Sequence, residues 1–318
     1  MLYIPILPVY FFGVLLTRRW LYFTAANPGI YMGGFFGEQK DEILDLIPSD
    51  YKVKTISVVR KYEEDELKEL LRENSLVFPL VVKPNVGERG EGVQIVYSID
   101  EIMTYGQAEQ HFLIQEYTDY ELELGVLFYK MPNEISGQVS SITQKEFLHV
   151  IGDGKHNVLQ LLQMSQRGLI YEDLVKKEFS VRLNEVPHKN EVVTIHRIGN
   201  HSKGTRFIDA NKHINERLNA TFSQLSKHIP SVYFGRYDLK VPNYSDLEQG
   251  MNIKIFEMNG VSSEPGHIYD QGNVFSAYIF LTYHWLAIIQ ISRINLQRGM
   301  KTTPLSVFYK TIINHFWG

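Results

Sequence analysis

The sequence predicts an α+β fold. Helix-period and strand-period segments alternate without the regular βαβ repeat of a doubly wound sheet, and several strand pairs are separated only by short turn-forming stretches, which marks them as antiparallel neighbours. The chain of 318 residues, 44% of them hydrophobic, can bury a sizeable core in one large domain or two intimate ones.

The elements run as follows. LYIPILPVYFFGVLL (2–16) is free of charge and is followed by Arg18 and Arg19. Its positive charge lies on the wrong side for a signal peptide, and with Pro5 and Pro8 it is short for a membrane span. It reads as an apolar segment packed on the core, with interfacial membrane attachment the other reading. YEEDELKELLREN (62–74) has Leu67, Leu70 and Leu71 at helical spacing behind an acidic first turn. FPLVVKPNVGERGEGVQIVYS (78–98) is two strands around a glycine loop, and IDEIMTYGQA (99–108) is a short helix. HFLIQEY (111–117), ELELGVLFY (121–129) and GQVSSITQKEF (137–147) are strands.

GDGKHNVLQLLQMSQRG reads as a turn and one helix ending near residue 167, and EVVTIHRIG (191–199) as a strand. INERLNATFSQLSKHI (214–229) is a helix with Ile214, Leu218, Phe222, Leu225 and Ile229 on one face. SVYFGRYDLKV and MNIKIFEMN are strands joined by the turn-rich PNYSDLEQG. The charge-free stretch between Asp270 and Arg293 reaches spanning length, but Ser276, Thr282, His284 and Gln290 dilute it, so it reads as a helix buried in the protein.

Composition narrows the function classes. A formal charge of −4 and a pI near 6.3 leave no basic footprint for nucleic acid. The chain has no cysteine, which removes disulfides, thiol catalysis and thiolate-held zinc, and fits a reducing compartment.

Two constellations carry chemistry. In the first, the strand 80–84 delivers Lys83, and Gly87, Gly90 and Gly92 follow. Glycines let backbone N–H groups approach and point at an anion, and the lysine adds a full charge, so phosphate is the inferred ligand. The spacing is not that of a P-loop or a dinucleotide fingerprint, and a strand follows instead of a helix. It would be a flap over a polyphosphate; a surface hairpin with glycines in its turn would look similar. In the second, Arg236 and Asp238 stand at i and i+2 of one strand, and Glu257 and Asn259 at i and i+2 of the next. A hairpin would gather them on one face as an all-oxygen donor set suited to Mg²⁺. Met251, Ile253 and Ile255 are expected on that face too, an apolar row ending in acid and amide as a cleft wall would; a polar sheet face open to water is the other reading.

PLVVKPNVGERGEGV, IQEYTDYELELGV, GRYDLKV and FEMNGVSSEPG follow in the order of the ATP-grasp superfamily, and over residues 36–290 the chain resembles its D-alanine–D-alanine ligase and cyanophycin-synthetase branch. The resemblance implies two α+β lobes with ATP between them: a small lobe with the flap (36–112), a large lobe with the metal site (113–300), a reduced apolar N-terminal region (1–35) and a tail (301–318). It implies that Lys83 and Lys40 hold phosphates and that the loop with Gly87, Gly90 and Gly92 closes over them. Glu116 and Tyr117 would line the adenine site and Glu123 would take the ribose hydroxyls. Asp238, Glu257 and Asn259 would ligate the Mg²⁺ ions, two in number and replaceable by Mn²⁺, with Arg236 beside the transferred phosphate. In HRIGNHSKGTRFID, Lys203 and Arg206 would be the catalytic cations, with His201 and Ser202 as polar contacts.

The implied activity is ATP-dependent joining of a small-molecule carboxylate to an amine through an acyl phosphate, in the cytoplasm. Peripheral membrane contact through residues 1–20 and a homodimer are further expectations. The flap sequence NVGERGEGV lacks the serines of D-alanine ligases, so D-Ala–D-Ala synthesis is not expected. The alternatives are an ATP-grasp kinase and a non-catalytic, membrane-peripheral nucleotide-binding module.

Overall fold

The structure, a computed structural model, describes residues 6–317 except 60, 88–89, 180–181 and 271–272. The chain opens with helix α1 (Leu7–Thr17), then 3₁₀ turns at Tyr22–Ala25 and Tyr31–Gly33 lead to α2 (Lys40–Asp45). A first unit follows: β1 (Thr55–Val58), α3 (Glu64–Glu73), β2 (Leu80–Pro84), β3 (Gln94–Val96), α4 (Ile99–Ala108) and β4 (Phe112–Glu116). Its four strands form an antiparallel sheet in the order β1-β4-β2-β3, with α3 and α4 on one apolar side. The helices begin where side chains can take the free N–H groups. Glu63 and Glu66 form a reciprocal capping box at α3, and Ser98 accepts from the Glu101 N–H at α4.

The second unit holds β5 (Leu122–Tyr129), β6 (Gln138–Glu146), β7 (His149–Ile151), α5 (Val158–Gln163), α6 (Gln166–Glu178), β8 (Val192–Thr194), β9 (Arg206–Asp209), α7 (Glu216–Lys227), β10 (Phe234–Val241), α8 (Tyr244–Gln249) and β11 (Lys254–Asn259). Five strands form the main antiparallel sheet, ordered β11-β10-β5-β6-β9, and β7-β8 form a separate ribbon under α5 and α6. Helix α7 covers the apolar side of the main sheet with the face expected of it: Leu218, Phe222 and Leu225 are buried there beside Leu124, Val126 and Leu239. The chain ends with α9 (Val274–Gln297) and α10 (Leu305–Trp317).

The architecture is α+β with antiparallel pairing in all three sheets, as predicted. The expected lobe boundary at residue 112 falls at the start of β4, which the hydrogen bonding assigns to the first sheet. Four local expectations change. Ser165 caps a new helix by accepting from the Gly168 N–H, so the single helix to residue 167 becomes α5 and α6. The strand expected at 191–199 shortens to β8, and β9 arises in a stretch read as loop. PNYSDLEQG contains a helix, α8, started by the Asn243 side chain and closed by Gly250 at φ +69°. The fourth concerns α9, only one face of which is buried: Ala277, Leu281, Ile288 and Ile291 pack inward while Val274, Phe275 and Ile279 are exposed.

The N-terminal stretch fastens this assembly. Asn27 is fully buried, accepts from the N–H groups of Tyr233 and Phe234, and donates to the carbonyls of Gly33 and Phe234. Gly33 and Gly34 then lie against the end of β11, accepting from the N–H groups of Val261 and Ser262. A Cβ on Gly34 would come within 2.6 Å of the Gly260 Cα, so only glycine permits this approach. Helix α1, expected to pack on the core, buries Gly13 against Tyr22 and lies against α9. Its other side is exposed at Phe11, Phe12, Leu15 and Leu16, and residues 1–5 lie outside the described residues.

Candidate active site between the two sheets

The two sheets face each other across a cavity of about 1330 Å³. Its floor is one side of the main sheet. Strand pairing sets Gly125, Asp238 and Glu257 abreast, and one step along sets Lys145, Glu123 and Lys240 abreast. The predicted hairpin of β10 and β11 exists, and Arg236 stands opposite Asn259.

The pairing breaks between Asp238 and Leu239: Asp238 is opposite Glu257, but Leu239 is opposite Ile255. Phe256 is therefore an extra residue, a β-bulge. This corrects the expected alternation. Ile255 turns into the core, whereas Phe256 and Glu257 both line the cavity. The bulge also gives the carbonyl of Phe256 to the site, where it accepts from Lys83 Nζ at 2.7 Å and Gln115 Nε2 at 3.3 Å. The lysine of the first sheet thus meets the acidic strand of the second.

Electrostatics bind the cluster together. Burial pushes Lys83 down to about 8; Glu257 and Asp238 pull it upward, and Lys40 and Lys145 add to the lowering. Burial alone would raise the carboxyl of Asp238, but Arg236 and Lys145 hold it below the usual range. Arg236 donates to Asp238 from Nε and Nη2, at 3.0 Å for the latter, and Asn259 Nδ2 donates to Asp238 at 3.1 Å. Lys145 bridges Glu123 at 3.2 Å and Asp238 at 3.4 Å. Gly125 is needed beneath this set, because a Cβ there would stand 3.1 Å from Asp238 Oδ1 and 3.2 Å from Arg236 Cδ.

Lys40, at the start of α2, reaches the flap: its Nζ donates to the carbonyl of Gly87 at 2.7 Å. The flap glycines have φ of +153°, +68° and +71° at Gly87, Gly90 and Gly92, backbone that side chains disfavour. Flap residues Glu88 and Arg89 lie outside the described residues. A Cβ on Gly90 would come within 2.9 Å of Asn200 Nδ2, so the flap lies close to the 196–205 loop, and both residues line the cavity.

Toward the other end, Glu116 accepts from the Lys54 N–H and pairs with Lys254 at 3.2 Å, and Tyr117 stacks under the ammonium of Lys240. Both line the cavity with Glu123, which is nearly buried between Lys145 and Lys240 and closed over by Gly199.

The structure therefore brings Lys40, Lys83, Gly87, Gly90, Glu116, Tyr117, Glu123, Arg236, Asp238, Glu257 and Asn259 to one cavity, whereas Gly92 lies beside Pro84 and outside its wall. Lys203 and Arg206 are not brought into its wall. Arg206 sits on β9 opposite Glu146 and pairs with it at 3.4 Å on the exposed side; the alternation of β9 sends Phe207 into the cavity instead. His201 and Ser202 do line it.

Sequence reasoning missed Lys145, Lys240, Arg197 and Glu264. Lys240 was within reach, since it continues the i, i+2 row of Arg236 and Asp238. Lys145 needed strand pairing that no local pattern supplies, and Arg197 sits in the loop after β8, where it donates to the Tyr117 hydroxyl at 3.2 Å, a contact that no local pattern announces. Glu264 lines the cavity beyond Arg236, which donates to its backbone carbonyl at 3.2 Å; burial pushes its carboxyl up to about 6.

The donor set suits a divalent cation with phosphate. It offers two carboxylates and an amide, seated on a strand bulge and a glycine that leaves room above Asp238. Among the described residues, six cations (Lys40, Lys83, Lys145, Arg197, Arg236 and Lys240) and six carboxylates (Glu38, Glu116, Glu123, Asp238, Glu257 and Glu264) line the cavity, and around Lys83 the charges of Lys40 and Lys145 stand beside those of Glu257 and Asp238.

No protein-family model matches the sequence. Cyanophycin synthetase from Crocosphaera subtropica is 24% identical over 212 residues, which span 60% of this chain and 24% of that protein. Among solved structures, D-alanine–D-alanine ligase from Bacillus anthracis complexed with ATP is similar at 16% identity, covering 82% of this chain and 68% of that one with a TM-score of 0.44. A bifunctional glutathione synthetase from Pasteurella multocida is also similar, at 16% identity over 75% of this chain and 34% of that one, with a TM-score of 0.39. These proteins are ATP-grasp ligases, the group that the ordered motifs of this sequence resemble.

Proposed function

We propose that this chain is an ATP-dependent carboxylate–amine ligase. The observation that carries the reading is the meeting of Lys83, from the glycine-flap sheet, with the bulge that presents Asp238, Glu257 and Asn259 from the other sheet. Asp238, Glu257 and Asn259 would hold Mg²⁺, two ions in the expected arrangement, with Mn²⁺ able to replace it; bound there, the metal neutralises phosphate charge. Lys40 and Lys83 would hold the phosphate chain under the flap, Glu116 and Tyr117 the base, and Glu123 the ribose.

An oxygen of the substrate carboxylate attacks the γ-phosphorus, the bond to the β–γ bridging oxygen breaks, and ADP leaves with that electron pair. The amine nitrogen then attacks the acyl carbon of the acyl phosphate. The C–O bond breaks, inorganic phosphate departs, and the amine loses its proton. The protein's part is positioning and charge neutralisation. Arg236, beside Asp238, is placed for the transferred phosphoryl group, and Lys145 joins it in a role that sequence reasoning gave to Lys203 and Arg206.

The test is ADP and phosphate release over pairs of carboxylates and amines with ATP and Mg²⁺. Asp238→Asn and Glu257→Gln should each lower turnover by at least about a hundredfold. Unchanged turnover in both sinks the metal assignment, and a stable phosphorylated product without free phosphate makes the protein a kinase.

Membrane contact belongs to the same proposal. The exposed apolar side of α1, with Phe11, Phe12, Leu15 and Leu16, ends at Arg18, Arg19 and the exposed Trp20, an order that suits a headgroup boundary.

A further inference from the structure

Nucleotide and metal do not account for the whole cavity. Beyond Arg236 and Glu264 it continues, past Val261 and Pro265, into an arm with a different character. Among the described residues, Tyr10, Phe23, Phe35, Leu281, Trp285 and Ile288 wall it, and none of these six is charged. The aromatic rings are locked edge to face or tilted, with Phe23 4.5 Å from Phe35 and 6.3 Å from Trp285. His284, on the same wall, is pushed down to about 4 by burial and is therefore neutral at pH 7. A small polar substrate finds few partners in such an arm, and it would leave the arm filled with water that gains few hydrogen bonds from largely apolar walls.

The arm is bounded by Ile6 and Leu7 at the start of α1 and by Ile312 of α10. Leu7 is 50% exposed, so the apolar lining runs out to the protein surface at the helix whose outer side is itself apolar.

Resting on the ligase reading above, we propose that one of the two joined substrates is an amphiphile: a polar head that reacts beside Arg236 and Glu264, and an unbranched hydrocarbon chain that lies in the arm between α1, α9 and α10. The chain enters at Leu7, next to the exposed face of α1, which suits a molecule taken from a lipid surface. The polar end of the cavity fixes the head by charge, whereas the arm recognises only length and apolarity.

The test uses the whole chain and fatty acids of increasing length, hexanoate to dodecanoate, read by quenching of tryptophan fluorescence, for which Trp285 in the arm wall is the reporter. Affinity should rise about fourfold for each added methylene, the gain expected of a buried CH₂. Acetate should give no saturable signal. Ile312→Trp, at a half-buried position that lines the arm, should weaken dodecanoate binding about tenfold while ADP–Mg²⁺ affinity stays within about twofold. A second variant, Leu7→Glu at the exposed mouth, should also weaken it and guards against a misfolded first variant. Affinity independent of chain length, or unchanged in both variants, overturns the proposal. Loss of ADP–Mg²⁺ binding by the unmodified chain would instead overturn the ligase reading, so the two failures are told apart.

Discussion

Lys83 is a cation held in a place unfavourable for one. It is 3% exposed, and its neighbours include Lys40 and Lys145 as well as the carboxylates. Such a group is costly until a polyanion arrives. Because its folded value is about 8, against an ordinary value of 10.5, the unfolded chain binds more protons between those two pH values. The cost is therefore fully present below pH 8 and fades as pH rises toward 10.5. Nucleotide affinity should run the other way, falling as pH passes upward through about 8 and the ammonium is lost. Lys83→Met should weaken ADP–Mg²⁺ binding by at least about tenfold, yet leave the protein as stable at pH 7 or more so, by up to about 3 kcal/mol. Calorimetric titration and thermal unfolding of the same variant check both halves. At Gly125, alanine would press on Asp238 and Arg236 without disturbing the strand. Gly125→Ala should raise the Mg²⁺ concentration needed for half-maximal ADP release about tenfold, read by metal titration at saturating ATP.

At the scale of elements, period and punctuation made much of the molecule legible. Helix α4 begins and ends where IDEIMTYGQA predicts, and the β10–β11 hairpin follows from two runs of alternating residues. The reading failed where a single side chain or one extra residue decides the outcome. Ser165 splits a helix because its hydroxyl accepts from the Gly168 N–H, and the bulge at Phe256 reverses the facing of every residue before it. An i, i+2 count cannot see a bulge, so Glu257 lines the cavity although the residues expected to share its face do not follow from that count. Arg206 fell outside because an unrecognised strand, β9, gave it the opposite face from Phe207. Helix α1 was legible as apolar but not in what its two sides do. The inner side packs on Tyr22 and α9, so removing the helix would uncover core; point charges on the outer side are the cleaner probe. Phe11→Glu with Leu15→Glu should abolish flotation with liposomes while leaving the unfolding temperature within a few degrees. Undiminished flotation would remove α1 from membrane contact.

At the scale of the whole molecule, the two sheets are joined by Lys83 and Gln115 donating to the carbonyl of Phe256, by the Val53 N–H donating to the carbonyl of Ile255, and by Lys254 pairing with Glu116. These four contacts converge on Lys254–Phe256 of β11. The flap and the 196–205 loop lie close together above, at Gly90 and Asn200. A bound nucleotide would be gripped from both sheets at once. Hydrogen exchange in the flap 87–93 and the loop 198–205 should therefore slow together, by at least about tenfold, when a non-hydrolysable ATP analogue and Mg²⁺ are added. Protection of one segment alone would show that they do not close as a unit. The overall architecture was readable because alternation and motif order survive in a single sequence. The cavity's apolar arm was not, since its walls come from residues as far apart as Tyr10 and Ile288.

The buried amide of Asn27 has a practical corollary. It satisfies the first backbone groups of β10, the strand that carries Arg236 and Asp238, so the stretch from Asn27 to Gly34 acts as a splint for the acidic cluster. A shortened protein beginning at the first recognisable motif would retain every charged side chain of the site and still lose the brace that aligns them.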